Sequence, residues 1–168
     1  MEDKILIILS GLPGSGKSTL AKKLNDTLES VIVSPDSIRS MITGERYDIY
    51  WKRLFPSAEK LVKSLTIEVC EELFKKNINV IYDETNTTKA DRVAFLKLAK
   101  VYGYKVYGYE VNTPAKECKK RRVEDNKGIV TQRWFDVIDE MDSNREPMSV
   151  SEGFDRILEE DNGEIEIV

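Results

Sequence analysis

The chain of 168 residues contains no histidine. That removes the side chain that most often serves as a general base or metal ligand near neutral pH, so a proton acceptor has to be sought among the carboxylates. Cysteine is almost as scarce. Cys70 and Cys118 lie far apart, each inside a helix-like pattern, which argues against a disulfide framework and for a reducing, cytoplasmic setting. No apolar run approaches the roughly 20 residues that span a bilayer. The opening run Ile5-Leu6-Ile7-Ile8-Leu9 is short and leads straight into a glycine-rich segment, so neither a membrane partner nor a cleavable signal is expected there. Internal repeats, low-complexity tracts and interdomain linkers are absent as well. Nor is there an excess of positive charge: 26 basic against 30 acidic residues leave a net charge of −4. That balance speaks against broad non-specific nucleic-acid binding and leaves a local basic patch open. A hydrophobic content of 40% in a chain of this length fits one globular domain, residues 1–168. The oligomeric state is not legible.

What the chain does contain is organised around Gly11-Leu12-Pro13-Gly14-Ser15-Gly16-Lys17-Ser18-Thr19, which satisfies the phosphate-loop pattern G-x-x-x-x-G-K-[ST] in full. A buried-strand run precedes it and a helical pattern, Ser18 to about Leu28, follows. Gly11, Gly14 and Gly16 let the backbone approach a ligand closely, and successive N–H groups at a helix start form an anion nest. Lys17 would reach the outer phosphates of a nucleoside triphosphate, and the Ser18 hydroxyl would ligate Mg²⁺. The bland alternative is a glycine-rich turn before a helix.

Further strands are expected at Val31–Val33, Val80–Tyr82 and Tyr104–Val111. Helices are expected from Asp36 to near Gly44, over Ala58–Leu73, Thr88–Tyr102, Pro114 to about Asp125, and about Thr131–Met141. The tail, Phe154–Val168, reads as two short strands turned at Asp161-Asn162-Gly163. Strands alternating with helices imply an α/β/α sandwich on a mostly parallel central sheet, whose ligands collect at the carboxyl ends of the strands. Three polar clusters fall at such ends: the phosphate loop, Asp36–Arg39, and Asp83–Asn86.

Asp36 is the candidate catalytic base, with Arg39 one turn on; the alternative is a helix cap beside a solvated arginine. Asp83 and Glu84 sit where a carboxylate holds Mg²⁺, and which of the two faces the metal is open because neighbouring strand residues point to opposite faces. Thr85 and Asn86 offer hydrogen bonds to a phosphate or sugar, unless Asn86 or Thr87 merely caps the next helix. Arg121, Arg122 and Lys127 border a break between two helices, over about residues 116–135. Such an arrangement suggests a small lid whose cations offset transition-state charge, or else a solvated helix face. Tyr47, Tyr50, Trp51 and Phe55 either stack on a terminal base or pack an irregular loop. Asn126-Lys127-Gly128-Ile129 lacks the final aspartate of a guanine-specifying motif, which makes ATP the expected donor over GTP and a GTPase switch the weakest of the classes.

Taken together, these stretches resemble the polynucleotide kinase-like group of phosphate-loop kinases. That group is typified by the 5′-kinase domain of phage polynucleotide kinases and includes AAA-type ATP-binding kinase-like proteins. The resemblance rests on residues 11–19, on Ser-Pro-Asp-Ser-Ile-Arg (34–39), on Ile-Tyr-Asp-Glu-Thr-Asn-Thr-Thr (81–88) with Arg92 after them, and on Ser-Glu-Gly-Phe-Asp (151–155). It implies a phosphate-loop kinase that uses ATP and Mg²⁺ on a 5′-hydroxyl end of RNA or DNA. Asp36 would activate the hydroxyl and Arg39 would contact the acceptor phosphate. Asp83, Glu84, Thr85, Asn86 and Arg92 would line the acceptor or metal side, with arginines near 121 in the lid. Family lids often carry a Val-Pro step where this chain has Val130-Thr131, and the 3′-phosphatase signature of the phage enzymes is missing. A kinase of nucleosides, sugars, antibiotics or nucleotide-sugars stays open as the alternative.

Overall fold

The computed structural model describes residues 4–44, 56–125 and 132–158. In chain order the elements are β1 (Ile5–Ser10), α1 (Lys17–Leu28), β2 (Ser30–Val33), α2 (Pro35–Thr43), α3 (Ser57–Lys75), β3 (Asn79–Tyr82), α4 (Lys89–Val101), β4 (Lys105–Glu110), α5 (Ala115–Asp125), α6 (Gln132–Ser143), a 3-10 turn (Val150–Glu152) and β5 (Arg156–Leu158). The five strands form one sheet in the order β2-β3-β1-β4-β5, and every pair is parallel. β5 is the first of the two expected tail strands, and it adds to the sheet edge beside β4. The expected turn at residues 161–163 lies outside the described residues.

Both faces of the sheet are covered, as the apolar strands require. Along β1 the side chains alternate. Leu6 and Ile8 pack with Phe74 of α3 and Phe95 of α4, whereas Ile7 and Leu9 pack with Ala21 and Leu24 of α1. A third, smaller cluster of Leu12, Cys118 and Ile138 joins the phosphate loop to α5 and α6. Among the described residues no helix is long and apolar enough to cross a membrane.

Arg92 belongs to this framework. Its side chain is fully buried on α4, and its guanidinium makes a paired contact with Glu152 of the 3-10 turn at 2.9 and 2.8 Å. Nη1 also donates to the Asn86 and Glu146 carbonyls. The expectation that Arg92 touches substrate therefore gives way to a structural role, tying the C-terminal turn to the loop after β3. Breaking one half of a buried ion pair leaves the other charge uncompensated, a loss of about 3–5 kcal/mol. Arg92→Met is expected to lose about that much stability in urea unfolding, read as a lower midpoint at unchanged slope.

Candidate active site

The phosphate loop joins β1 to α1 and has the backbone its glycines allow. Gly14 and Gly16 adopt φ of 81° and 105°, and a Cβ on Gly14 would lie 2.8 Å from the Cys118 carbonyl oxygen. The Gly11 N–H donates to the Thr85 carbonyl at 2.9 Å, which pins the loop to the segment after β3. Lys17 is buried, with Nζ donating to the Gly11 and Leu12 carbonyls at 2.8 and 2.9 Å. Burial pushes its ammonium below the usual lysine range, opposed by the charges of Asp83 and Glu84. The Ser15 hydroxyl is buried with no hydrogen-bond partner among the described residues, between the two positive-φ glycines of the loop. Lys17 and Ser15 thus fit a polyphosphate. Pro13 is half-buried in the same loop, and Thr19 is exposed on the first turn of α1.

Asp83 follows β3, where its N–H donates to the Val33 carbonyl at 2.9 Å. Its carboxylate accepts a hydrogen bond from the Ser18 hydroxyl. Burial raises this carboxyl above the usual aspartate range, offset in part by the Ser18 bond and the Lys17 charge. Two oxygen ligands side by side suit a hard cation such as Mg²⁺, which takes one or two protein ligands together with phosphate oxygens and water. Among the described residues no cluster could hold a metal on three His, Cys, Asp or Glu side chains. Glu84 turns the other way, accepting from the Thr85 N–H at 2.9 Å and from Arg39 at 3.2 Å. Of the two acidic neighbours, Asp83 is the one beside Ser18.

Asp36 stands in the first turn of α2, which Pro35 opens with Ser34 at the cap position. It is therefore not the cap that the bland alternative required. Its carboxylate is largely exposed and lines, with Ser18 and Asp83, a cleft of about 790 Å³. Arg39 Nη1 meets Asp36 at 2.6 Å and Glu84 at 3.2 Å, while Nε and Nη2 grip Glu59 of α3 at 2.9 and 3.0 Å. Burial alone would lower the Arg39 titration, but its bonds to Glu59 and the Glu84 and Asp36 charges raise it instead, so the guanidinium is permanently charged.

The remaining candidates divide between site and scaffold. Thr85 holds Gly11 through its carbonyl. Asn86 is buried at a left-handed φ of 43°, its Nδ2 donating to the Leu9 carbonyl at 2.8 Å, so it braces β1 instead of facing a sugar. The cap of α4 is Thr88, in a reciprocal box with Asp91, and neither Asn86 nor Thr87 fills that position. Arg121 Nη1 donates to the Ser15 carbonyl at 3.2 Å and lies 3.6 Å from where a Cβ on Gly16 would be, directly over the loop. Arg122 instead stacks on Trp134 of α6 at 4.5 Å, a cation–π contact that joins the two helices and takes it out of the expected phosphate set. Lys127, the middle of the expected lid, and the aromatics at 47, 50, 51 and 55 lie outside the described residues.

A family model described as an AAA domain, AAA_33, matches residues 6–148. The chain belongs to that family. It is similar to the L-seryl-tRNA(Sec) kinase of Methanococcus maripaludis, with 25% identity over 144 residues that cover 83% of this chain and 53% of the relative. Among solved structures it resembles a chain of the Pnkp1/Rnl/Hen1 RNA repair complex, with 26% identity and a TM-score of 0.70 over 86% of this chain and 44% of that one. Shikimate kinase from Acinetobacter baumannii shares the fold at 16% identity, with a TM-score of 0.64 over 96% of this chain and 86% of that one. The chain thus spans about half the length of the seryl-tRNA kinase and less than half of the repair-complex chain. It is a kinase-like phosphate-loop domain.

In this AAA_33 domain two groups escaped the sequence. Glu59 in the first turn of α3 reads as ordinary helix-dipole compensation, because its partner lies 20 residues away. Thr113, whose hydroxyl donates to the Ser15 carbonyl at 2.8 Å, carries no motif.

The buried carboxyls lead to a pH prediction. A carboxyl raised on folding stabilises the native state fully below its unfolded pKa and loses that contribution as pH rises through the folded value. For Asp83 the charged form is therefore a liability at neutral pH. Asp83→Asn is expected to melt above the native protein at pH 7, with the difference vanishing below about pH 4. Thermal unfolding across that range checks it; a lower melting point at pH 7 would mean that the Ser18 and Lys17 contacts outweigh burial.

Proposed function

We propose that the chain transfers the γ-phosphoryl group of ATP to a hydroxyl, most directly the 5′-hydroxyl end of RNA or DNA. The observation that carries the proposal is the cleft itself, where an exposed, arginine-held Asp36 carboxylate shares walls with Ser18 and Asp83. The loop N–H groups, Ser15 and Lys17 would hold the phosphates. Asp36 would accept the proton of the attacking hydroxyl as its oxygen bonds to the γ-phosphorus and the bond to the ADP oxygen breaks. Lys17 and Arg121 would offset the charge on the transferred group. Mg²⁺, held by Ser18 and Asp83, would neutralise phosphate oxygens.

The nucleic-acid end is favoured by the motif resemblance at residues 34–39 and 81–88 and by the similarity to a chain of an RNA repair complex. A small-molecule acceptor is the second reading, favoured by the net charge of −4 and by the three carboxylates around Arg39, which work against a polyanion. Two free, buried cysteines accord with a reducing, cytoplasmic setting.

The test is transfer of labelled γ-phosphate to a 5′-hydroxyl oligonucleotide, its 5′-phosphorylated twin, and a panel of nucleosides and sugars. Label on the 5′-hydroxyl oligonucleotide alone is expected; label on a small molecule instead moves the acceptor to the second reading. Asp36→Asn should slow transfer by about 100- to 10,000-fold and leave ATP binding intact. Lys17→Ala should abolish transfer to every acceptor, and retained activity in that variant would contradict the phosphate-loop assignment.

A further inference from the structure

Arg39 is surrounded by acceptors from three separate elements. Asp36 comes from α2, Glu84 from the segment after β3, and Glu59 from the first turn of α3. Among the described residues four hydrogen bonds leave the guanidinium, and the two to Glu59 are the paired, fork-to-fork contact. The Arg39 side chain is 12% exposed, so little of it is open to a ligand. A flexible arginine could present Nη1 in many directions. With Nε and Nη2 fixed on Glu59, Nη1 has one direction left, and it points at Asp36 and Glu84 together. The geometry also separates the two ends of the guanidinium. One end is anchored in α3, and the other steadies a carboxylate at the mouth of the cleft.

We infer that Glu59 is a positioning residue for phosphoryl transfer, acting through Arg39 to hold the Asp36 carboxylate where an acceptor hydroxyl meets it. The inference rests on the proposed kinase reading and names a residue that reading does not need. It also changes what Arg39 does: the guanidinium serves first as a bracket between α3 and Asp36. Glu59 touches no substrate, so its removal leaves both binding steps in place and misaligns the base.

The test compares Glu59→Ala, Glu59→Gln, Arg39→Ala and the double variant Glu59→Ala/Arg39→Ala, each first checked for native melting behaviour. Glu59→Ala is expected to lower kcat by up to about 100-fold with KM for ATP and for the acceptor unchanged. Glu59→Gln, which keeps the shape but not the charge, should recover part of the rate. Because Glu59 acts through Arg39, the double variant should be no slower than Arg39→Ala alone. The Arg39 Nε–H proton, followed by NMR, should exchange slowly in the native protein and quickly in Glu59→Ala, whether or not an acceptor is known. Unchanged kcat in Glu59→Ala, losses that multiply in the double variant, or an unchanged Arg39 proton would each overturn the inference. So would a lower acceptor KM in Glu59→Ala, which would make Glu59 a competitor of the acceptor for Arg39. A native protein that phosphorylates nothing in the panel would instead overturn the kinase reading, and the Arg39 proton would then report the Glu59 hold separately.

Discussion

Parallel pairing of β2 with β3 and of β3 with β1 aligns the places where these strands end. Tyr82 sits opposite both Val33 and Ile8, so Ser34 and Asp83 leave the sheet side by side, and β1 runs only two residues further along β4 before Gly11 opens the phosphate loop. The phosphate loop, Asp36 and Asp83 all hang from these strand ends. The backbone bonds from Asp83 to Val33 and from Gly11 to Thr85 continue the alignment past the strands, so the loops are held as well as launched. A one-residue slip of β3 would exchange Asp83 and Glu84, putting the wrong carboxylate beside Ser18.

These strand ends concentrate groups that burial disfavours. Lys17 titrates low and the Asp83 and Glu84 carboxyls titrate high, each because its charged form has lost water. A core assembled for stability alone would not place them together. Such a cluster is expected where charge has to be ready for a ligand, and the rest of the fold offsets its cost. Arg39 moderates it from one side, and Arg92, paired with Glu152 and bonded to the Asn86 carbonyl, supports the loop from beneath.

The order of elements and the phosphate loop were legible because each has a local cause: glycines at positive φ, apolar strand runs, and helical periodicity. Among the described residues β5 joins β4 in parallel by a crossover, a pairing that the apolar pattern of the tail does not specify. Where the sequence misled, the missing information was long-range. Arg92 and Asn86 follow a polar strand end and read as ligands, yet both point inward to partners on other elements. Arg122 and Arg121 are adjacent and chemically alike; helix geometry turns one toward the loop and the other toward Trp134. Glu59 could not be singled out at all, since only the packing of α3 against α2 brings it to Arg39.

As the proposed base, Asp36 would be the group that an acceptor hydroxyl meets. A crystal structure with a non-hydrolysable ATP analogue, Mg²⁺ and a short 5′-hydroxyl oligonucleotide tests it most directly. The 5′-oxygen is expected within hydrogen-bond reach of the Asp36 carboxylate, about 2.6–3.2 Å, and in line with the γ-phosphate. A 5′-oxygen held by another carboxylate, or an oligonucleotide seated outside the cleft, would contradict it.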